Sequence, residues 1–188
     1  MSGKSNLLKV ISKQTKAETI VFDSSNHALK SLESVCDRFI TEPAEFDEFI
    51  ADMVPELQRR KESYLADSQI SFEPILIVID DLKQCFESAS EDTAKRLEAI
   101  VRLGKGLGVN LLVAGNCDDI SKMFNQGEPL TMGLVNSQVS ILLGGSFRSH
   151  GVFKSNLPYS EQDVLLEDYE GYLLNKEKAM CFKAMFEN

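Results

Sequence analysis

The chain has 188 residues, enough for one domain with a sizeable core, and its 43% hydrophobic and 26% charged residues are ordinary for a globular protein. Acidic residues outnumber basic residues 29 to 20, and the resulting net charge of −9 would repel a polyanion, so nucleic acid is not an expected partner. No apolar run approaches the roughly 18 residues of a membrane span. The four scattered cysteines and two histidines show no metal-site spacing, so we expect reduced thiols.

The N-terminus carries part of a phosphate-binding motif. Gly3, Lys4 and Ser5 match the last three positions of a loop that reads GxxxxGK followed by Ser or Thr. In such loops backbone N–H groups at a helix start bind phosphates, the lysine neutralises their charge and the hydroxyl binds magnesium. The apolar spacing that follows predicts a helix over 5–13. The motif indicates a nucleotide site in a fragment of a longer protein; the alternative is an ordinary polar N-terminus before a helix.

The next stretch alternates strand and helix patterns. Residues 18–23 (ETIVFD) predict a short strand that ends in turn residues, and residues 29–36 predict a helix. A longer helix begins at Pro43, and Pro55 must kink it or start a new segment. The basic run 59–61 is interpreted as a solvated face of that helix.

The most informative strand pattern is ILIVI at residues 75–79, which ends in Asp80 and Asp81. Its hydrophobicity is continuous rather than alternating, as in a central parallel strand buried on both faces. In α/β folds ligands bind at the carboxyl ends of such strands. The two carboxylates therefore mark a candidate site.

The rest of the chain continues the alternation. A helical pattern stops at a glycine-rich segment, and a buried strand then ends at Asn116. Residues 138–146 predict another strand. The tail predicts a hairpin that turns at 175–178, with alternating apolar residues on one face, namely Met180, Phe182, Ala184 and Phe186. This pattern predicts an α/β fold.

These motifs together resemble the FtsK/SpoIIIE family of RecA-like P-loop ATPases, over about residues 3–145. The matching segments are the Gly-Lys-Ser helix start, ILIVIDD, and RLGKGLGVNLLVAGN. The resemblance is strongest to the last ATPase module of the EssC/YukB-type coupling proteins of type VII (WXG100/Esx) secretion. It implies a RecA-like P-loop NTPase sandwich with a mostly parallel sheet flanked by helices and a C-terminal β-hairpin. Residues 1–188 would then be a single ATPase domain of a larger multidomain protein.

The resemblance implies that the cofactors are ATP and magnesium. Ser5 and Asp80 would hold the metal ion. Contacts to the nucleotide are implied for Gly3, Lys4, Ser5 and Asn6.

Two positions depart from the family pattern. Asp81 stands where the family has the glutamate that activates water, and Asn116 stands where it usually has a glutamine sensor. Both side chains are one methylene shorter, and phosphoryl transfer depends on positioning. These catalytic candidates therefore indicate a domain that binds nucleotide but hydrolyses it slowly or not at all alone.

The resemblance also implies partners and a location. It indicates the cytoplasmic part of a bacterial protein anchored in the cell membrane, with secreted WXG100/Esx-type helical proteins as substrates. Neighbouring ATPase domains of the parent are further partners, and the assembled system would be a hexamer. One alternative is a competent hexameric DNA translocase of the FtsK type. The other is a docking domain with a vestigial P-loop that binds no nucleotide.

Three further stretches have open interpretations. Residues 126–135 (QGEPLTMGLV) are either a peptide groove, with Leu130, Met132 and Leu134 as its wall, or core between two strands. Arg148 is either an arginine finger or, as is commoner, a surface arginine. His150 is expected to be exposed. Asp23 is expected to cap a turn, and the alternative is that it reaches toward the nucleotide site.

Overall fold

The computed structural model describes residues 3–24, 27–137, 139–176 and 178–183. Tertiary contacts group the chain into two compact units. One unit comprises residues 8–115, and the other comprises residues 3–7 and the residues from Asn116 onward. Each unit has its own β-sheet.

The unit of residues 8–115 is built on a four-stranded parallel sheet in the order β2-β1-β3-β4. Its strands are β1 (Glu18–Phe22), β2 (Arg38–Ile40), β3 (Ile75–Ile79) and β4 (Val109–Val113). Its helices are α1 (Lys4–Gln14, which begins in the other unit), α2 (Pro43–Ala66), α3 (Leu82–Ser88) and α4 (Glu91–Leu103), with short 3-10 helices at Lys30–Leu32 and Gly104–Leu107. Residues 29–36 therefore form less helix than the sequence predicts.

The two central strands of this sheet are covered on both faces. On one face, Val21 of β1 and Val78 of β3 pack in a buried cluster with Leu8 of α1. Neighbouring residues of a strand point to opposite faces, and the ring of Phe22 stacks on that of Phe46 in α2, with the centroids 4.0 Å apart. Helices therefore flank the parallel sheet on both sides, as predicted from the continuous apolar run of β3.

Helix α2 continues through Pro55 as a single 24-residue helix. The interpretation that Pro55 starts a new segment is therefore wrong. Proline cannot donate the backbone hydrogen bond of its turn, which weakens a helix locally. Buried side chains lie on both sides of the proline and hold the helix on the core, namely Phe46, Phe49, Ile50, Met53, Leu57 and Arg60.

Arg60 is a buried cation on α2. It is 5% exposed, so the interpretation of the basic run 59–61 as a solvated face is wrong at its middle residue. Its Nε donates to Glu56 Oε1 at 2.6 Å, and its Nη1 donates to the carbonyl oxygens of Leu107 at 2.8 Å and Glu73 at 3.0 Å. The guanidinium thus joins α2 to the segments that precede β3 and β4.

The stability of this unit should fall in acid because of Glu56. Hydrogen bonds from Arg59 and Arg60 lower the pKa of Glu56 from 4.5 to about 2. A carboxylate with a depressed folded-state pKa stabilises the fold above its unfolded pKa, and that contribution is lost as the pH falls from 4.5 toward 2. We expect Glu56→Gln to remove this part of the acid dependence, measured by urea unfolding at a series of pH values.

The exposed carboxylate of Glu62 on the same helix provides the control. Its Oε1 accepts a hydrogen bond from the neutral side chain of Gln58 at 2.7 Å. Glu62→Gln should leave the acid dependence of the parent in place. An unchanged acid dependence in Glu56→Gln would contradict the assignment.

The second unit contains a three-stranded antiparallel sheet in the order β5-β6-β7. Its strands are β5 (Val139–Leu143), β6 (Glu170–Asn175) and β7 (Lys178–Lys183), and its helices are α5 (Cys117–Asn125), α6 (Pro129–Asn136) and α7 (Tyr159–Gln162), with a 3-10 helix at Phe147–His150. The predicted C-terminal hairpin is confirmed, with Asn175 of β6 paired with Lys178 of β7. Phe147 and Tyr172 pack edge to face in its core, with ring centroids 5.8 Å apart.

The predicted apolar face of the hairpin is confirmed only in part. Phe182 is partly buried, whereas Met180 is 57% exposed. Ala184 and Phe186 lie outside the described residues. No helix among the described residues has the length and apolar character that crossing a membrane requires.

Candidate nucleotide site

The residues of the partial phosphate-binding motif lie at the start of α1. Gly3 has a φ of +77°, a left-handed conformation that favours glycine. Its carbonyl accepts a hydrogen bond from Leu7 N at 2.9 Å. Lys4, Ser5 and Asn6 form the first turn of the helix. A helix start concentrates backbone N–H groups and a positive partial charge, which suits an anion such as a phosphate.

Asp80 follows β3 at the carboxyl edge of the parallel sheet. The register pairs Phe22 with Ile79, which puts Asp23 and Asp80 at the same edge on neighbouring strands. Asp23 is 1% exposed, and its Oδ2 accepts a hydrogen bond from Leu29 N at 2.8 Å. Asp23 therefore joins the end of β1 to the backbone of Leu29.

The candidate metal ligands have suitable chemistry. The hydroxyl of Ser5 and the carboxylate of Asp80 are hard oxygen donors of the kind that magnesium prefers. Among the described residues, no group of three or more His, Cys, Asp or Glu side chains could hold a metal ion. Magnesium in phosphate sites takes only one or two carboxylates and completes its shell with water and phosphate oxygens, so each of the two donors is of a type that suits it.

Asp81 starts α3 in a left-handed conformation, with a φ of +69° and a ψ of +88°. Its Oδ1 accepts a hydrogen bond from Gln84 N at 3.2 Å and so caps the helix. Next to it, Leu82 N donates to the Ala114 carbonyl at 2.8 Å, which ties the start of α3 to the end of β4. Aspartate is a preferred N-cap and tolerates this backbone conformation, whereas glutamate is less favoured in both respects. The local structure therefore gives a physical reason for aspartate at this position.

Asn116 lies three residues after β4 and starts α5. Its Oδ1 accepts a hydrogen bond from Asp118 N at 3.0 Å, so its exposed side chain caps the helix. Shortening a glutamine to asparagine favours this role, because asparagine is a preferred N-cap.

The site residues divide between the two units. Asp80 and Asp81 belong to the unit of residues 8–115, together with Asp23. The other unit contains Asn116 and the N-terminal residues Gly3, Lys4, Ser5 and Asn6. Within it, burial raises the pKa of the thiol of Cys117, the residue after Asn116, and the ammonium of Lys4 opposes that rise.

A cysteine–histidine pair in this unit was not predicted. His150 is 4% exposed, so the expectation of an exposed residue is wrong. Its Nδ1 lies 2.6 Å from Cys117 Sγ, and its Nε2 lies 3.1 Å from the carbonyl oxygen of Gly144. Burial raises the pKa of Cys117 and lowers the pKa of His150. The two residues are 33 positions apart, and no local sequence pattern pairs them.

Arg148, the candidate arginine finger, has partners within its own unit. Its Nε lies 3.1 Å from Asp163 Oδ1, and both side chains are more than half exposed. Its guanidinium also lies over the ring of Tyr159, 5.6 Å from the centroid. These contacts favour the interpretation as a surface arginine.

The candidate peptide groove at residues 126–135 is mostly helix α6. Leu130 is 1% exposed and belongs to the core, whereas Met132 is 38% exposed. The helix is capped by Glu128, which accepts hydrogen bonds from the backbone of Leu130 and Thr131. The core interpretation thus holds for Leu130, Leu134 is half-buried, and Met132 is the most exposed of the three predicted wall residues.

Comparison with known proteins identifies the fold. No protein-family model matches the chain, and no curated protein matches it in sequence. Among solved structures, the cytoplasmic domain of EssC matches with a TM-score of 0.82 at 20% identity, covering 98% of this chain and 37% of that chain. EssC ATPases 2 and 3 from Geobacillus thermodenitrificans match with a TM-score of 0.81 at 21% identity, covering 98% and 35%. The chain has the fold of these ATPase domains.

The type VII secretion ATPase EccC of Thermomonospora curvata extends the same comparison. Its cytoplasmic domain matches with a TM-score of 0.76 at 16% identity, covering 100% of this chain and 23% of that chain. Its ATPases 2 and 3 have also been solved in complex with a signal sequence peptide. The chain spans between 23% and 37% of the length of the three structures compared. The predicted resemblance to EssC-type ATPase domains is thereby confirmed for the fold.

Proposed function

We propose that this chain is a nucleotide-binding module of a type VII protein secretion motor. The observation that carries the proposal is the start of α1, where left-handed Gly3 precedes Lys4 and Ser5, within a fold shared with EssC and EccC. ATP with magnesium is the proposed ligand. The module works beside other ATPase domains of a membrane-anchored parent, on its cytoplasmic side, and the assembled motor is a hexamer.

The proposed roles follow from the side chains. Lys4 neutralises the terminal phosphates, while the backbone of Gly3 and Asn6 contributes to the phosphate-binding turn. Ser5 and Asp80 would hold magnesium, Asp80 through a water, and the ion would supply positive charge beside the phosphates. Asn116 contacts the terminal phosphate.

The module hydrolyses ATP slowly. Asp81 is the residue proposed to orient the attacking water, yet it is short and its Oδ1 is engaged by Gln84 N. Positioning contributes much of the catalysis of phosphoryl transfer. Because the carboxylate of Asp81 caps α3, it is poorly placed to orient the attacking water.

ATP turnover by the chain alone should be far below the roughly 10 per second of a typical enzyme. Asp81→Glu extends the carboxylate and should raise turnover, at a cost of about 1 kcal/mol for the weakened cap. Asp81→Asn is the matched control, because it keeps the cap and removes the charge, and it should not raise turnover. Phosphate release measured under steady-state conditions tests this. Rapid hydrolysis by the monomeric parent would refute the slow-module proposal.

Export substrates of the WXG100/Esx type are the proposed partners. EccC has been solved with a signal sequence peptide, and an apolar anchor on a peptide can dock beside Met132, an adaptable side chain that is 38% exposed. The net charge of −9 does not oppose such docking but opposes binding to DNA.

Two measurements on the same preparation test the proposed function. Calorimetric titration with Mg-ATP should give saturable binding, and immobilised chain should capture a WXG100-type substrate but not duplex DNA at physiological salt. Substrate capture without nucleotide binding would favour the docking domain. DNA capture without substrate capture would favour the translocase.

A further inference from the structure

His150 is held in one protonation pattern by its two neighbours. A carbonyl oxygen can only accept a hydrogen bond, so Nε2, 3.1 Å from the Gly144 carbonyl, carries the proton. Burial lowers the pKa of His150 and favours the neutral ring. In a neutral ring with the proton on Nε2, Nδ1 is an acceptor. The thiol of Cys117, 2.6 Å from Nδ1, is therefore the donor of this contact.

The loop after β5 builds this arrangement. Gly144 and Gly145 have φ values of +69° and +66°, which turn the chain back after the strand. The turn is fixed by hydrogen bonds of Gly144 N to the Glu170 carbonyl and of Leu166 N to the Gly145 carbonyl. The turn brings the imidazole of His150 back to the carbonyl oxygen of Gly144, which is six positions earlier in the chain. The imidazole is therefore oriented by a backbone group.

Cys117 rests as a thiol but has a base in contact. Burial raises its pKa, Lys4 favours the thiolate, and Asp118 opposes it. The side chain is only partly buried, at the first position of α5. A nucleophile in hydrogen-bond contact with a base, with the base oriented by a third group, is the general arrangement of nucleophilic catalysis. Among the described residues, Cys117 is the cysteine with such an imidazole contact.

We propose that Cys117 is a thiol-modification site that exchanges with low-molecular-weight disulfides, with His150 as its general base. Cys117 Sγ attacks one sulfur of the disulfide while its proton moves to His150 Nδ1. The disulfide bond breaks, a new bond joins Cys117 to the attacked sulfur, and the displaced half leaves as a thiolate. Nδ1 then gives its proton to an alkyl thiolate, or to water when the leaving thiolate is weakly basic. Cys117 is oxidised to a mixed disulfide, and the departing half of the reagent is reduced to the thiol oxidation level. The ammonium of Lys4 favours anionic disulfides.

The test uses the whole chain and the anionic aromatic disulfide 5,5′-dithiobis(2-nitrobenzoate). Released thiolate gives the rate, and peptide mass spectrometry assigns it to each cysteine. At pH 7, Cys117 should react at least about tenfold faster than Cys181, which is exposed on β7. His150→Gln should slow Cys117 about 100-fold, at the low end of general-base effects. It should leave the rate at Cys181 unchanged.

The pH profile of the unmodified chain tests the proposal without a variant. With His150 as base, the rate at Cys117 should level off once the imidazole is neutral. An unassisted thiol reacts only as thiolate, and its rate rises about tenfold per pH unit below the thiol pKa. A rate at Cys117 that is no faster than at Cys181, or that keeps rising in this way through pH 8, would overturn the proposal. So would a rate unaffected by His150→Gln in a variant whose circular dichroism matches the parent.

Discussion

Replacing Arg60 with alanine should lower the free energy of unfolding of residues 8–115 by about 3 kcal/mol. Arg60 is 5% exposed and donates to Glu56 and to the carbonyl oxygens of Glu73 and Leu107. Its guanidinium also lies 5.3 Å from the centroid of the Phe72 ring. Alanine would leave two backbone acceptors without their donor. The loss costs about 1 to 3 kcal/mol at the buried contact to Leu107 and less at the part-buried contact to Glu73.

Arg59 provides the matched control for this effect. It is the neighbouring arginine on α2, pairs with the same carboxylate of Glu56, and has a side chain that is 63% exposed. Arg59→Ala should change stability by no more than about 0.5 kcal/mol. Urea unfolding followed by circular dichroism measures both variants. Equal midpoints for the two would mean that the buried contacts of Arg60 contribute nothing specific.

Replacing Lys4 with alanine should weaken Mg-ATP binding about 100-fold, a loss of about 2.7 kcal/mol. The proposed site depends on this ammonium at the start of α1 to neutralise the terminal phosphates, and charge-assisted contacts to phosphate are among the strong polar interactions. The variant removes no apolar side chain from the core. Isothermal titration calorimetry gives the dissociation constants of the parent and of the variant.

Lys9→Ala controls for the loss of one positive charge from the same helix. Lys9 lies more than one turn further along α1, beyond the helix start where phosphate binding is proposed. Its replacement should change the affinity by less than about threefold, since the effect of a helix terminus falls off within its first turn. If Lys4→Ala binds Mg-ATP as well as the parent does, the nucleotide site is elsewhere.

The parts of the fold that the sequence predicts are those that depend on local pattern. Five consecutive apolar residues at 75–79 require cover on both faces, and β3 is indeed central and parallel. Gly108 ends the helical segment before β4 with a φ of +76°, as a glycine-rich stop predicts. The motif at Gly3 and Lys4 likewise lies at a helix start.

The parts that the sequence did not predict depend on residues far apart in the chain. Arg60 looks like one of three basic residues on a helix, and its burial is decided by carbonyl groups 13 and 47 positions away. His150 is buried because a glycine turn folds it back toward Cys117. Asp81 adopts a left-handed backbone where the chain enters α3, and the residue type alone does not specify that conformation.

The left-handed backbone at Asp81 allows the requirements of folding at this position to be distinguished from those of catalysis. Folding requires a residue that tolerates the conformation and caps α3, whereas catalysis requires a negative charge. Asparagine tolerates the same conformation about as well and caps a helix about equally well. Selection for stability alone is therefore nearly indifferent between the two residues, since they differ chiefly in a negative charge. In a library randomised at position 81, enrichment of aspartate over asparagine would report a demand for that charge, and equal frequencies would indicate a purely architectural residue.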